Sequence, residues 1–304
     1  MIQVPSDVPR TAELAAELMQ QLADAYPFLR KERLASTANG RPVEALAIGT
    51  GSRRVLYDAA FHANEWLTAT VLLRFAAEYA DAIETGGMIF DRDARTLATE
   101  CTIYLLPMVN PDGVDLVTGV IRRGQDEYEK AMDLARNYPN IPFPSGWKAN
   151  LNGVDLNLSF PAGWLRAREI KFSQGYTKPG PRDYVGRAPL SQNESLALFD
   201  YTLRISPALV LALHSQGQVI YWQYGGVEVP GARELGEKFA ALSGYRLADT
   251  PQDSAYAGYK DWFIQRFRRP GYTIEVGSGV NPLPLNQTEE IYEKLLGVFV
   301  TAAG

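Results

Sequence analysis

Apolar and polar residues alternate along the chain in two rhythms. A helical spacing, apolar at every third or fourth position, runs through Thr11 to Tyr26, Leu67 to Ile83, Ser191 to Ile205, Gly231 to Leu242 and Thr288 to Ala302. In the third of these, Ser191 and Glu194 read as a capping box, each side chain satisfying a backbone N–H of the first turn. Between the helices lie dense apolar runs: Arg54 to Phe61 (RVLYDAAF), Thr102 to Val109 (TIYLLPMV), Ala208 to Leu213 (ALVLAL) and Tyr272 to Val276 (YTIEV). Runs apolar on both faces predict strands buried between helix layers. The expected fold is therefore α/β, a single domain over residues 1–304 around a mixed sheet. The stretch from about residue 122 to 187 breaks the pattern, being rich in Pro, Gly, Asn and aromatics with little period, and it is expected to be an irregular, function-bearing loop region. GTGSRR at Gly49 lacks the third glycine and the Lys-Ser/Thr of a phosphate loop, so it reads as a turn between strands.

Composition narrows the class. With 304 residues, 46% of them hydrophobic and 21% charged, the chain can bury a large core and is neither disordered, collagenous nor a coiled coil. A net charge of -5 argues against nucleic acid or an anionic membrane surface as partner. The lone cysteine, Cys101, rules out an internal disulfide and, at the head of an apolar run, reads as a small core residue. The opening MIQVPSDVPR has no basic-then-apolar leader, and no apolar run reaches about 18 residues. The expectation is a soluble protein without membrane insertion, cytoplasmic by default, with non-classical release as the alternative.

Candidate chemistry appears where polar residues end the apolar runs. The first ends in His62-Ala63-Asn64-Glu65, the second in Asn110-Pro111-Asp112-Gly113, the third in His214-Ser215-Gln216-Gly217, and the last contains Glu275. Ligands in open α/β sheets bind outside the carboxyl ends of the strands, so His62, Glu65 and His214 can converge on one crevice. Two imidazoles and a carboxylate with an open fourth position make a catalytic zinc site, with one ion per chain. These are the only two histidines in the chain. The rival reading makes both of them hydrogen-bonded core residues and Glu275 a carboxylate neutralised by a basic partner. An unpaired carboxylate inside an apolar strand costs several kcal/mol, which favours a functional reason for Glu275. Asp155 in NGVDLN suits either the outer nitrogen of a ligand histidine or the bracing of its loop. Asn110 and Asp112 read first as turn chemistry.

In order and over nearly the whole chain, FHANEWLTATVLLRF, MVNPDGVDL, WKANLNGVDLN, LHSQG and YTIEVG resemble the carboxypeptidase A-like zinc metallopeptidases. HANEW, NPDGVDL and GYKDWF resemble most the branch that hydrolyses the γ-D-glutamyl-diaminopimelate bond of bacterial peptidoglycan. The resemblance implies a mixed, mainly parallel eight-stranded sheet flanked by helices. It also implies His62, Glu65 and His214 as zinc ligands and Glu275 as general base and acid. The family's oxyanion-stabilising arginine has Lys148 in its place, which keeps the charge and loses the bidentate fork; a solvated loop lysine is the alternative. Exopeptidases of the family grip a terminal carboxylate with arginines, and the matching positions here read Asn157-Leu158 and Asn64. Losing both arginines disfavours an ordinary carboxypeptidase. Lys260, before the Asp-Trp pair, corresponds to a wall of the leaving-side pocket and suits the second carboxylate of diaminopimelate, or else it points to solvent. The family's mobile tyrosine falls on Tyr256 or Tyr259, of which Tyr256 is preferred. The function expected is a zinc peptidase acting on muropeptide or peptide substrates at the γ-D-glutamyl-diaminopimelate bond. The alternatives are a carboxypeptidase or amidase of the same fold with another substrate, and a non-catalytic zinc-containing muropeptide-binding module.

Overall fold

Residues within each apolar run point alternately to opposite faces of a sheet, so a run that is apolar throughout needs a cover on both sides. The computed structural model describes all 304 residues. Its strands are β1 (Arg30–Ser36), β2 (Pro42–Ile48), β3 (Arg53–Asp58), β4 (Met88–Ile89), β5 (Arg92–Asp93), β6 (Cys101–Leu106), β7 (Leu209–Ser215), β8 (Val219–Tyr221), β9 (Arg246–Ala248) and β10 (Gly271–Val276). β4 and β5 pair with each other, and the rest form one eight-stranded sheet in the order β1-β2-β6-β3-β7-β10-β8-β9. The inner strands β6, β3, β7 and β10 are parallel, while β2 and β8 run antiparallel to β6 and β10. The mixed α/β fold with a parallel centre is as expected.

The helices are α1 (Ala12–Ala25), α2 (Leu67–Thr85), α3 (Ala94–Glu100), α4 (Pro111–Val117), α5 (Asp126–Ala135), α6 (Trp164–Ser173), α7 (Asn193–Ile205), α8 (Ala232–Ser243), α9 (Tyr259–Phe267) and α10 (Thr288–Ala303). On one face of the sheet Val55, Tyr57, Leu211 and Ile274 pack with Leu22 of α1, Phe75 of α2 and Phe299 of α10. Deep in that layer the Tyr57 hydroxyl donates to the Phe299 carbonyl at 2.7 Å. On the other face Leu56, Val210 and Ala212 meet Leu198 of α7 and Phe263 of α9. Each fully buried aliphatic side chain contributes about 1.5–3 kcal/mol, so these two layers dominate the stability of the sheet. No helix is long and apolar enough to cross a membrane.

Three local expectations are corrected. The box at Ser191 and Glu194 does not form, because Gln192 rather than Ser191 stands at the N-cap position of α7, with no side-chain cap bond, and Glu194 turns inward to accept from Asn150 Nδ2 at 3.3 Å. Asn110 is a helix cap rather than a simple turn residue: its side chain accepts from Gly113 N at 3.1 Å and Pro111 starts α4. The region from 122 to 187 contains α5 and α6. Each of them buries only two or three residues, against small satellite clusters around Trp147 and Trp164, which is too narrow a stripe to register as a period.

Candidate metal centre

β3, β7 and β10 lie side by side, with Asp58 opposite Ala212 and His214 opposite Glu275. After β3 the sheet grows toward β6 on one side and β7 on the other, leaving a crevice at the carboxyl ends of the strands. His62 lies just beyond β3, and the single 3-10 turn Ala63–Glu65 that follows carries Glu65 back under it. His62 Nδ1 is 2.9 Å from Glu65 Oε1, His214 Nδ1 is 3.0 Å from Glu65 Oε2, and the two Nδ1 atoms are 3.2 Å apart. The ligand atoms of all three residues fall within 4.8 Å of one another.

The opposite edges of the rings are held as well. His62 Nε2 is 3.2 Å from Asp155 Oδ1, and His214 Nε2 is 3.3 Å from Asn157 Nδ2. Asn157 accepts from Tyr259 N at 3.0 Å, and Phe61 stacks on His214 with centroids 5.7 Å apart. Two imidazole nitrogens and a carboxylate aimed at one point, with their outer edges braced, fit a zinc ion. His62, Glu65 and His214 could therefore hold one. Asn110 ties the surrounding loops together, since its Nδ2 faces the carbonyls of Phe61 (3.1 Å), Lys148 (3.3 Å) and Ala149 (3.0 Å).

Charge in the crevice is balanced at short range. Burial opposes ionisation of Glu65, but His62 and Lys148 outweigh it and hold the carboxyl well below its usual range. Burial would lower the His62 imidazole, yet Glu65 and, further out, Asp155 push it up to about 9. Lys148 Nζ donates to Glu65 Oε1 at 2.7 Å, and that carboxylate keeps the ammonium charged against the cost of burial. Burial raises Glu275, which His214 opposes and Glu65 reinforces; the net shift is upward. A carboxyl lifted toward neutrality in this way suits proton transfer in both directions.

Two cavities, of about 220 and 580 Å³, meet here, and Lys148, Arg182, Tyr221 and Glu275 wall both. Asn157 and Leu158 line the smaller one, where Leu158 presents an apolar wall backed by Trp164 and Val185. Asn64 lines the larger one, donates to Ser145 O at 3.1 Å and leaves its own carbonyl oxygen without a partner. Lys260 reaches the smaller cavity, but its ammonium is engaged by Asp261 (2.6 Å), the Gln223 carbonyl (2.7 Å) and Thr250 (3.3 Å). The free cation expected at Lys260 is thus an ion pair, because the buried ammonium takes the adjacent carboxylate. Tyr256 does not line the cavity and packs edge-on against Tyr224 at 6.3 Å. Arg182 and Tyr221 escaped the reading of the sequence. A charged pair inside the aperiodic Gly-Pro-Arg-Asp segment was the one available signal for Arg182, and Tyr221 gave none.

Residues 15–296 match the family model described as zinc carboxypeptidase. The chain is 42% identical over 282 residues to γ-D-glutamyl-L-diamino acid endopeptidase 1 of Lysinibacillus sphaericus, covering 93% of this chain and 69% of that one. It is 26% identical to human carboxypeptidase B over 79% of this chain and 52% of the relative. Among solved structures, thrombin-activatable fibrinolysis inhibitor superposes with a TM-score of 0.77 at 17% identity, covering 98% of this chain and 74% of that one. The sheet, the crevice at its switch point and the match across almost the full chain lead to one conclusion: this protein belongs to the zinc carboxypeptidase family of metallopeptidases.

Proposed function

We propose that the chain hydrolyses the amide bond between a γ-D-glutamyl residue and diaminopimelate in peptidoglycan peptides. The observation that carries this reading is the meeting of two cavities at Glu275 and Lys148, which leaves room for substrate on both sides of the reacting bond. Asparagine at 64 and leucine at 158 offer no cation for a free terminal carboxylate, and the named activity of the 42% identical relative is of the same type.

His62, Glu65 and His214 would hold the zinc ion. When bound, zinc supplies Lewis acidity, polarising a carbonyl and making a nearby water more acidic. Glu275 takes a proton from the attacking water and returns it to the departing amine, for which its raised pKa prepares it. Lys148 sets a positive charge where the carbonyl oxygen becomes an anion, from a side chain that is itself largely buried. Asp155 fixes the His62 ring and Asn157 the His214 ring, so neither must reorganise during the reaction.

The test is product analysis by mass spectrometry. Zinc-loaded protein is incubated with L-Ala-γ-D-Glu-diaminopimelate peptides and with ordinary peptides ending in apolar residues. Release of diaminopimelate-bearing fragments, with little attack on the ordinary peptides, is expected. Glu275→Gln should bring turnover near background while still binding about one zinc per chain. Preference for the ordinary peptides, or an active Glu275→Gln, would refute the reading.

A further inference from the structure

Of the two cations that wall both cavities, the mechanism above uses Lys148 and leaves Arg182 without a role. Arg182 walls both cavities and is held from both sides of the chain. Before it, the Pro181 carbonyl accepts from Lys148 N at 2.7 Å and Ala149 N at 2.9 Å; after it, Asp183 N donates to Asp155 Oδ2 at 3.2 Å. Asp155 is the carboxylate that faces His62, so this segment is built into the same framework as the metal centre. Asp183 has φ +64°, in the left-handed region that aspartate tolerates better than most residues. Its carboxylate bridges Lys171 Nζ at 2.7 Å and Arg182 Nε at 2.6 Å. The bond to Nε fixes the plane of the guanidinium and leaves both terminal NH2 groups without a protein acceptor. The neighbouring ammonium groups are more enclosed: Lys148, bonded to Glu65, has its side chain 17% exposed, and Lys260, bonded to Asp261, 4%. With its side chain 40% exposed, Arg182 is a preset fork open to the crevice.

A γ-linked glutamyl residue differs from an α-linked one at a defined place. The scissile carbonyl belongs to the side chain, so the α-carboxylate stays free across a three-carbon spacer, on the carbon that bears the preceding amide nitrogen, where an α-linked peptide of uncharged residues has no such charge. A planar guanidinium beside the reacting bond matches that carboxylate by two parallel charge-assisted hydrogen bonds. We propose that Arg182 is the specificity residue that binds the free α-carboxylate of the γ-linked residue, a role that rests on the function proposed above.

The experiment pairs two substrates, L-Ala-γ-D-Glu-diaminopimelate and its α-carboxamide, the γ-D-isoglutaminyl analogue, with zinc-loaded wild type, Arg182→Gln and Arg182→Lys. The wild type should favour the carboxylate by about 10- to 100-fold in kcat/KM. In Arg182→Gln that ratio should fall to near one, chiefly through KM, and Arg182→Lys should lie between. Equal losses on both substrates, with the ratio unchanged, would overturn the assignment. Should Arg182→Gln lose zinc or thermal stability, Arg182→Lys decides: a ratio below the wild type's supports the role and an unchanged one overturns it. A wild type that cleaves neither substrate would instead overturn the proposed function, and the role of Arg182 with it.

Discussion

Glu194, 2% exposed at the start of α7, shows how one side chain departs from its pattern. Burial pushes its carboxyl up to about 7, and hydrogen bonds from its own backbone and Asn150 only partly oppose this. Between about pH 4.5 and 7 the unfolded chain ionises this group while the folded chain keeps it protonated, so stability falls as pH rises through that window. Glu194→Gln removes the loss, and unfolding free energies from denaturant titrations should diverge by up to about 3 kcal/mol by pH 8 while converging below about pH 4.5. Parallel pH dependences would refute this. At the same scale His62, Glu65, His214 and Glu275 were legible because each interrupts an apolar strand end, where an unpaired polar group is costly. Arg182 was not, since a charge inside a loop is ordinary until the fold turns it inward.

At the scale of elements, α4 is where pattern and structure part most instructively. Asn-Pro-Asp-Gly is turn chemistry by local preference, yet here it caps a helix and packs against the loop that bears Lys148. A β-carbon on Gly113 would lie 2.6 Å from the Ala149 carbonyl oxygen and 2.7 Å from Asn110 Oδ1. Gly113→Ala gains helix propensity but must displace that loop and the amide clamp of Asn110. Overpacking of this kind costs about 1–3 kcal/mol. We expect a lower thermal midpoint and a fall in kcat of at least about 10-fold at saturating zinc, because Lys148 moves with its loop. Wild-type values for both would show that the loop yields freely. The long amphipathic helices and the four central strands were legible because their stripes are wide. The polar edge strand β1 and the short helices α5 and α6 were not, because each buries too few residues to set a period.

For the molecule as a whole, the two apolar layers lie on the faces of the sheet and the metal centre beyond the carboxyl ends of its central strands, so fold and metal are separable. Chelation should abolish hydrolysis while leaving far-ultraviolet circular dichroism and a cooperative melt, with the midpoint lower by a few degrees and restored by zinc. Zinc at about 100 times its dissociation constant adds about 2.7 kcal/mol, a small part of what the layers supply. Unfolding on chelation would contradict that separation. What the sequence determined by itself was the class of fold, the buried central strands and the residues able to bind a metal, since burial and ligand chemistry are properties of residue type and spacing. Only the tertiary structure decided that Lys260 pairs with Asp261, that Tyr256 packs outside the cavity, and that Arg182 stands open between the two cavities. Those outcomes depend on which partner lies within hydrogen-bond reach of a flexible charged or aromatic side chain, and that distance is set by packing between segments far apart in the chain.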